Sequence, residues 1–170
     1  MAFNSLSYFI FLPVVFLLYW FIFNKKVKIQ NLLILSASYF FYGLWDWRFL
    51  FLILASTVVD FLVGKAIYAT KWNRTKQKIW LWTSIVFNIS LLGFFKYYNF
   101  FADSFLDMFQ LFGYTIKSSW TLNIILPVGI SFYTFQTMSY SLDIYYGRLK
   151  PSKDFLSIAT FVAFFPHLVA

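Results

Sequence analysis

A chain of 170 residues that is 61% hydrophobic, 26% aromatic and only 12% charged, with a mean hydropathy of +0.71, does not have the composition of a soluble domain, because a domain of this size leaves much of its area wet. Lipid is the implied solvent, and the absence of cysteine excludes a disulfide framework or a thiolate metal site. The net charge of +8 does not point to nucleic acid: ten of the fourteen Lys and Arg residues fall in three clusters between apolar runs, Lys25/Lys26/Lys28, Lys71/Arg74/Lys76/Lys78 and Arg148/Lys150/Lys153, as in cytoplasmic loops under the positive-inside rule.

A helix crossing the hydrocarbon needs about 20 largely apolar residues, and the first candidate is Ser5 to Phe23, with Pro13 expected to bend it. No positive n-region precedes this run and no small-residue cleavage site follows it, so it is read as a retained span and not as a signal peptide. The next run, Ile29 to Ala69, is too long for one crossing and is interrupted at "GLWDWR", Gly43 to Arg48, where a hairpin of two spans is expected. After the basic loop "KWNRTKQK" comes a fourth span, Ile79 to Phe95. In the following stretch Phe101, Phe105, Met108, Phe109 and Phe112 recur at helical spacing, which predicts an amphipathic helix in the membrane interface or, equally, one packed on protein.

A fifth span is expected over Ile124 to Tyr146, with Pro127 near its start, where a missing donor does little harm. The last run, Phe155 to Ala170, has 16 residues and reaches about 24 Å against roughly 30 Å of hydrocarbon, a truncated sixth span. The fold class predicted is an all-α polytopic transmembrane bundle of about five full spans plus this sixth, with one interfacial amphipathic helix. If the uncharged N-terminus faces outward, alternation through five crossings brings all three basic clusters to one side. Trp20, Trp72, Trp80 and Trp82 then fall at inner boundaries, and Trp45 and Trp47 at an outer one, as in interfacial belts.

Ionisable groups at membrane depth usually face a cavity or a partner. Asp60, with Ser56 and Gly64 four residues to either side, reads foremost as an intramembrane acid of structural role, satisfied across a tight helix contact. Gln136, Ser139, Tyr140 and Asp143 stand at i, i+3, i+4 and i+7 and share one face of the fifth span. Such a stripe suits the wall of a polar passage or a hydrogen-bond network that fixes packing. His167, the only histidine, follows Pro166; a lone imidazole with no visible carboxylate or nucleophile beside it reads more readily as structure than as a general base. The spacing of His and Asp residues offers no metal site, and neither a Gly-rich phosphate loop nor a nucleophile elbow occurs.

The blocks "LPVGISFYTFQTMSYSLDIYYG" and "FVAFFPHLVA", preceded by "FNSLSYFIFLPVVFLLYW", "SYFFYGLWDWRFL" and "GFFKYYNFF", resemble the membrane-bound O-acyltransferase family, in particular the bacterial branch that includes the alginate O-acetyltransferases. The resemblance runs from Phe3 to Ala170. It implies a multi-pass enzyme of the bacterial inner membrane that takes an acyl group from a cytoplasmic-side donor such as acetyl-CoA. The group passes to hydroxyls of an exported polysaccharide, directly or through a periplasmic or extracellular acyltransferase partner.

Gln136, Ser139, Tyr140, Asp143 and His167 would line or brace the passage to the reaction centre. The family's essential histidine lies downstream of the "FP-x-LVA" block, so His167, at that block's variable position, is not implied as catalytic. The block normally continues with Gly-Pro, and residues 1–170 are accordingly expected to be the N-terminal part of a single domain, inactive alone, with the catalytic histidine beyond residue 170. The alternatives are a transporter or channel component, in which the polar stripe conducts a solute, and a non-catalytic membrane scaffold for a partner enzyme.

Overall fold

Apolar runs with few helix-breaking residues leave the backbone only its own carbonyls as partners, and every element of the described chain is helical. The computed structural model describes residues 6–22, 26–111 and 129–168, side chains at 6–7, 45, 106, 109–111 and 167–168 excepted. Helix α1, Leu6–Leu17, contains Pro13, whose ring denies Phe9 its helical donor, and a π-helical turn, Leu18–Ile22, follows it.

Helix α2, Val27–Asp46, and helix α3, Arg48–Ala69, are separated by Trp47 alone, a tighter junction than the Gly43 to Arg48 turn expected. Asp46 makes that junction possible: its carboxylate accepts the Arg48 N–H at 3.0 Å and pairs with the guanidinium, Nη2 to Oδ2 at 2.7 Å. Helix α4 starts where Asn73 Oδ1 accepts the Lys76 N–H at 3.1 Å and runs unbroken over Arg74–Leu111. The separate interfacial helix expected after Phe95 is therefore corrected. With no Pro or Gly between Phe94 and Leu111, nothing stops the helix, and its 38 residues reach about 57 Å. On that extension Phe101, Phe105 and Met108 are exposed; the Phe109 side chain and all of Phe112 lie outside what is described.

Helix α5, Ile130–Tyr145, closes with Gly147 at φ 74°, whose N–H bonds to Ile144 O while that of Arg148 bonds to Asp143 O at 2.9 Å, a Schellman close. The expected start of this span, with Pro127, lies outside the described residues. Helix α6, Phe155–Val162, is capped by Asp154, and a short helix α7 covers Phe165–Leu168. The single run expected from Phe155 is thus broken, because Pro166 has no N–H for Val162 O and its ring obstructs the preceding turn. Ser38 Oγ accepts the Phe165 N–H at 3.2 Å at the break.

The contacts fix the directions of the central helices. Asp60 meets Ser141, and one turn further along α3 Gly64 meets Ile144, one turn further along α5, beside the Tyr140 ring, so α3 and α5 run parallel; α4 lies antiparallel against both. Helices α2 and α6 also pack on α3, while α7 lies against α2 and α5 and α1 against α2; the rings of Phe11, Phe41 and Phe165 join α1, α2 and α7. The exterior is apolar, unlike that of a protein in water, and the interior mixes apolar side chains such as Ile53 and Ile67 with small polar ones. Helix α3 buries Ser56, Thr57 and Asp60 completely while Phe51 and Leu62 are 61% and 58% exposed. Helix α4 likewise buries Ser84 and Asn88 and exposes Trp82, Val86 and Ile89. Small polar groups inside and large apolar ones outside is how helices associate in lipid. Among the described residues, α3 and α4 are long and apolar enough to cross a membrane.

Candidate functional site

Asp60 stands at the centre of a polar layer between α3, α4 and α5. Its Oδ1 accepts from Ser84 Oγ, and from Ser141 Oγ at 2.7 Å, while Oδ2 accepts from Asn88 Nδ2 at 2.7 Å. Asn88 extends the layer, its Nδ2 also donating to Ser84 O at 3.0 Å and its Oδ1 accepting from Thr137 Oγ1 at 3.2 Å. All three donors to the carboxylate are neutral, and Asp60, Ser84, Asn88 and Ser141 are fully buried. Elsewhere on α3 and α5, Ser56, Tyr133 and Thr134 carry buried hydroxyl oxygens that find no hydrogen-bond partner among the described residues, and buried hydroxyls call for one.

The fifth-span stripe behaves differently. Gln136 Nε2 donates to Phe161 O at 2.8 Å and thereby satisfies a carbonyl in the last turn of α6. The Tyr140 hydroxyl accepts the Ser152 N–H at 3.1 Å, tying down the loop before α6. Ser139 Oγ turns back to Gln136 O at 2.8 Å within its own helix, and Asp143 pairs loosely with Arg148, 3.7 Å apart, at the exposed end. The structure therefore brings Gln136 and Tyr140 together on one task, holding residues 152–161, and leaves Ser139 and Asp143 out of it. His167 belongs to α7, and its side chain lies outside what is described.

Sequence reasoning does not single out Ser84, Asn88, Thr137 or Ser141. The signal is nevertheless present: Ser84 and Asn88 stand at i and i+4 in an apolar span, and Thr134, Thr137 and Ser141 form a second stripe on α5. Among the described residues no cluster of three or more His, Cys, Asp or Glu side chains forms that could hold a metal. What the arrangement can do chemically is lock the mutual rotation of three helices through one carboxylate, and hold α6 against α5.

No family model and no solved structure matches the chain. Curated relatives do. The chain is 38% identical over 171 positions to the probable alginate O-acetylase AlgI of Azotobacter vinelandii, covering 100% of this chain and 33% of that protein. It is 39% identical to the protein of the same description in Pseudomonas aeruginosa, covering 100% and 32%, and 36% identical to the peptidoglycan O-acetyltransferase of Helicobacter pylori, covering 100% and 36%. The chain thus spans about a third of the length of these relatives. Homology with the O-acetylases holds along the whole of it.

Proposed function

We propose that these residues form the N-terminal part of a single membrane O-acyltransferase domain, one that passes an acyl group, acetyl by preference, to hydroxyls of an exported polysaccharide. The observation that carries this reading is the whole-chain likeness to proteins described as O-acetylases of alginate and of peptidoglycan. The buried polar layer within an apolar exterior supports it, since a transfer path through lipid needs walls of this kind. In this reading the enzyme is a multi-pass protein of the bacterial inner membrane, N-terminus outside, with five crossings and a sixth begun at Phe155. The donor, acetyl-CoA or a like thioester, approaches from the side of the basic clusters. A periplasmic or extracellular acyltransferase partner takes over where the group is relayed.

Transfer to a hydroxyl needs a general base to remove its proton and donors to hold the acyl oxyanion. We assign the base to a histidine beyond residue 170. The residues in hand supply the scaffold: α3, α4 and α5 are fixed by Asp60, and Gln136 and Tyr140 hold the α6 segment that leads toward the centre. In this reading Asp143, Ser139 and His167 also line or brace the passage.

The test is complementation of a bacterium deleted for its own alginate O-acetylase, scored as base-labile acetate on the exported polymer. A complete reading frame containing these residues is expected to restore acetylation, and residues 1–170 alone to leave it at background. Restoration by neither, on both alginate and peptidoglycan acceptors, with the protein present in the membrane, overturns the assignment.

A further inference from the structure

At the end of the bundle where α3 finishes, Lys65, Tyr68 and Ala69 face Lys150, Pro151, Ser152 and Lys153 across a cleft of about 270 Å³, room for about nine water volumes of roughly 30 Å³ each. Three lysines are among its lining residues and no Asp or Glu is, while most of its exposed wall is apolar. The nearby acids are already engaged. Asp154 accepts from the Leu156 N–H and from Ser157 Oγ, and Asp143 faces Arg148. Lys65 has an aromatic partner in place of an acid, its Nζ lying 3.9 Å from the centroid of the Phe61 ring, which is itself braced edge-on by Phe155.

The floor of the cleft is built. Tyr140 holds the Ser152 N–H, Ser152 Oγ bonds to Asp154 O at 3.0 Å and accepts the Asp154 N–H at 3.2 Å, and Gly147 closes α5 just before the loop. A fixed backbone thus presents long-stemmed cations around a space that lacks its counter-charge, which is the arrangement a multiply charged oxyanion completes.

We propose that this cleft is a phosphate-binding site, taking the phosphate of an anionic phospholipid headgroup or of a soluble phosphorylated ligand at the basic end of the bundle. The proposal is independent of the acyltransferase reading, because it concerns binding alone. Lys65 reaches from the helix, Lys150 and Lys153 from the loop, and phosphate oxygens take the place of water between them.

The experiment uses the product of the complete reading frame containing these residues, purified in detergent, with native mass spectrometry for retention of phosphatidylglycerol against phosphatidylcholine and calorimetric titration with inorganic pyrophosphate. The variants are Lys65→Gln/Lys150→Gln/Lys153→Gln and, as an equal change of net charge elsewhere, Lys71→Gln/Lys76→Gln/Lys78→Gln. Binding of at least one probe is expected, weakened about tenfold or more by the first triple and little by the second. Phosphatidylglycerol retained and not displaced by pyrophosphate assigns the site to a headgroup; pyrophosphate binding without lipid retention assigns it to a soluble ligand. Equal losses in the two triples, or no binding of either probe, overturn the proposal. Should the first triple not fold, Lys150→Gln/Lys153→Gln, confined to the exposed loop, replaces it: selective weakening by this pair supports the site, and a loss no greater than that of the second triple overturns it.

Discussion

Asp60 accepts hydrogen bonds from two other helices at once, so removing it disturbs more than one contact. Interhelical hydrogen bonds in membrane bundles average about 0.6 kcal/mol, whereas a buried donor left without an acceptor loses about 1–3 kcal/mol. The second effect dominates here, because Ser84, Asn88 and Ser141 are fully buried. Asp60→Ala is therefore expected to destabilise the chain by about 2–4 kcal/mol, read as a lower midpoint in SDS titration followed by circular dichroism. Asp60→Asn keeps an acceptor for the two serines but sets one amide N–H against another at Asn88, and about half the loss is expected. The exchange Asp60→Asn/Asn88→Asp re-forms a donor–acceptor pair across α3 and α4 and is expected to recover most of it. If Asp60→Ala leaves the midpoint where it was, the polar layer does not hold the helices.

Helix α3 comes close to α5 because Gly64 has no side chain. A Cβ there would fall 2.7 Å from Ile144 Cδ1 and 2.9 Å from Tyr140 Cε1. The isoleucine tip can rotate aside, but the tyrosine ring is anchored by Ser152, so Gly64→Ala is expected to cost about 1–3 kcal/mol by overpacking. Gly93 of α4 meets nothing within 4 Å, and Gly93→Ala is expected to be neutral or slightly stabilising in the same SDS titration. Equal losses at both positions would refute the close contact.

At this scale the sequence is legible where one residue decides alone. Pro166 marks the break before α7, although the apolar run around it reads as continuous, and the lack of any breaker after Gly93 explains why α4 does not stop at Phe95. The face of α5 that meets Asp60 is not legible. Gln136, Ser139, Tyr140 and Asp143 make as good a helical stripe as Thr134, Thr137 and Ser141 do. The choice between them is made by Asp60, 81 residues from Ser141 in sequence, and periodicity within one helix carries no information about a partner so distant.

For the whole molecule, the three basic clusters gather at one end of the bundle. Arg74 Nη1 lies 3.4 Å from Tyr145 O and its guanidinium stacks over the Tyr145 ring, which brings the second cluster beside the third. Asn31 Nδ2 reaches Ser157 Oγ at 3.3 Å and Thr160 Oγ1 donates to Asn31 O, bringing the start of α2, just after Lys26 and Lys28, to the same level. The Trp47 junction closes the opposite end of α3. If the bundle lies across the membrane, the positive-inside rule then leaves one orientation, basic end in the cytoplasm and Trp47 outside. Because the chain has no cysteine, single replacements report without background. Asn73→Cys and Lys150→Cys are expected to react with a membrane-impermeant maleimide only in inverted vesicles, and Trp47→Cys only in intact spheroplasts. A reagent that finds Trp47→Cys and Lys150→Cys from the same side would mean that α3 does not cross, whatever its length and apolarity allow. Labelling of each from the side opposite to that expected would keep the crossing, reverse the orientation, and turn the basic end toward the outside, away from a cytoplasmic acyl donor.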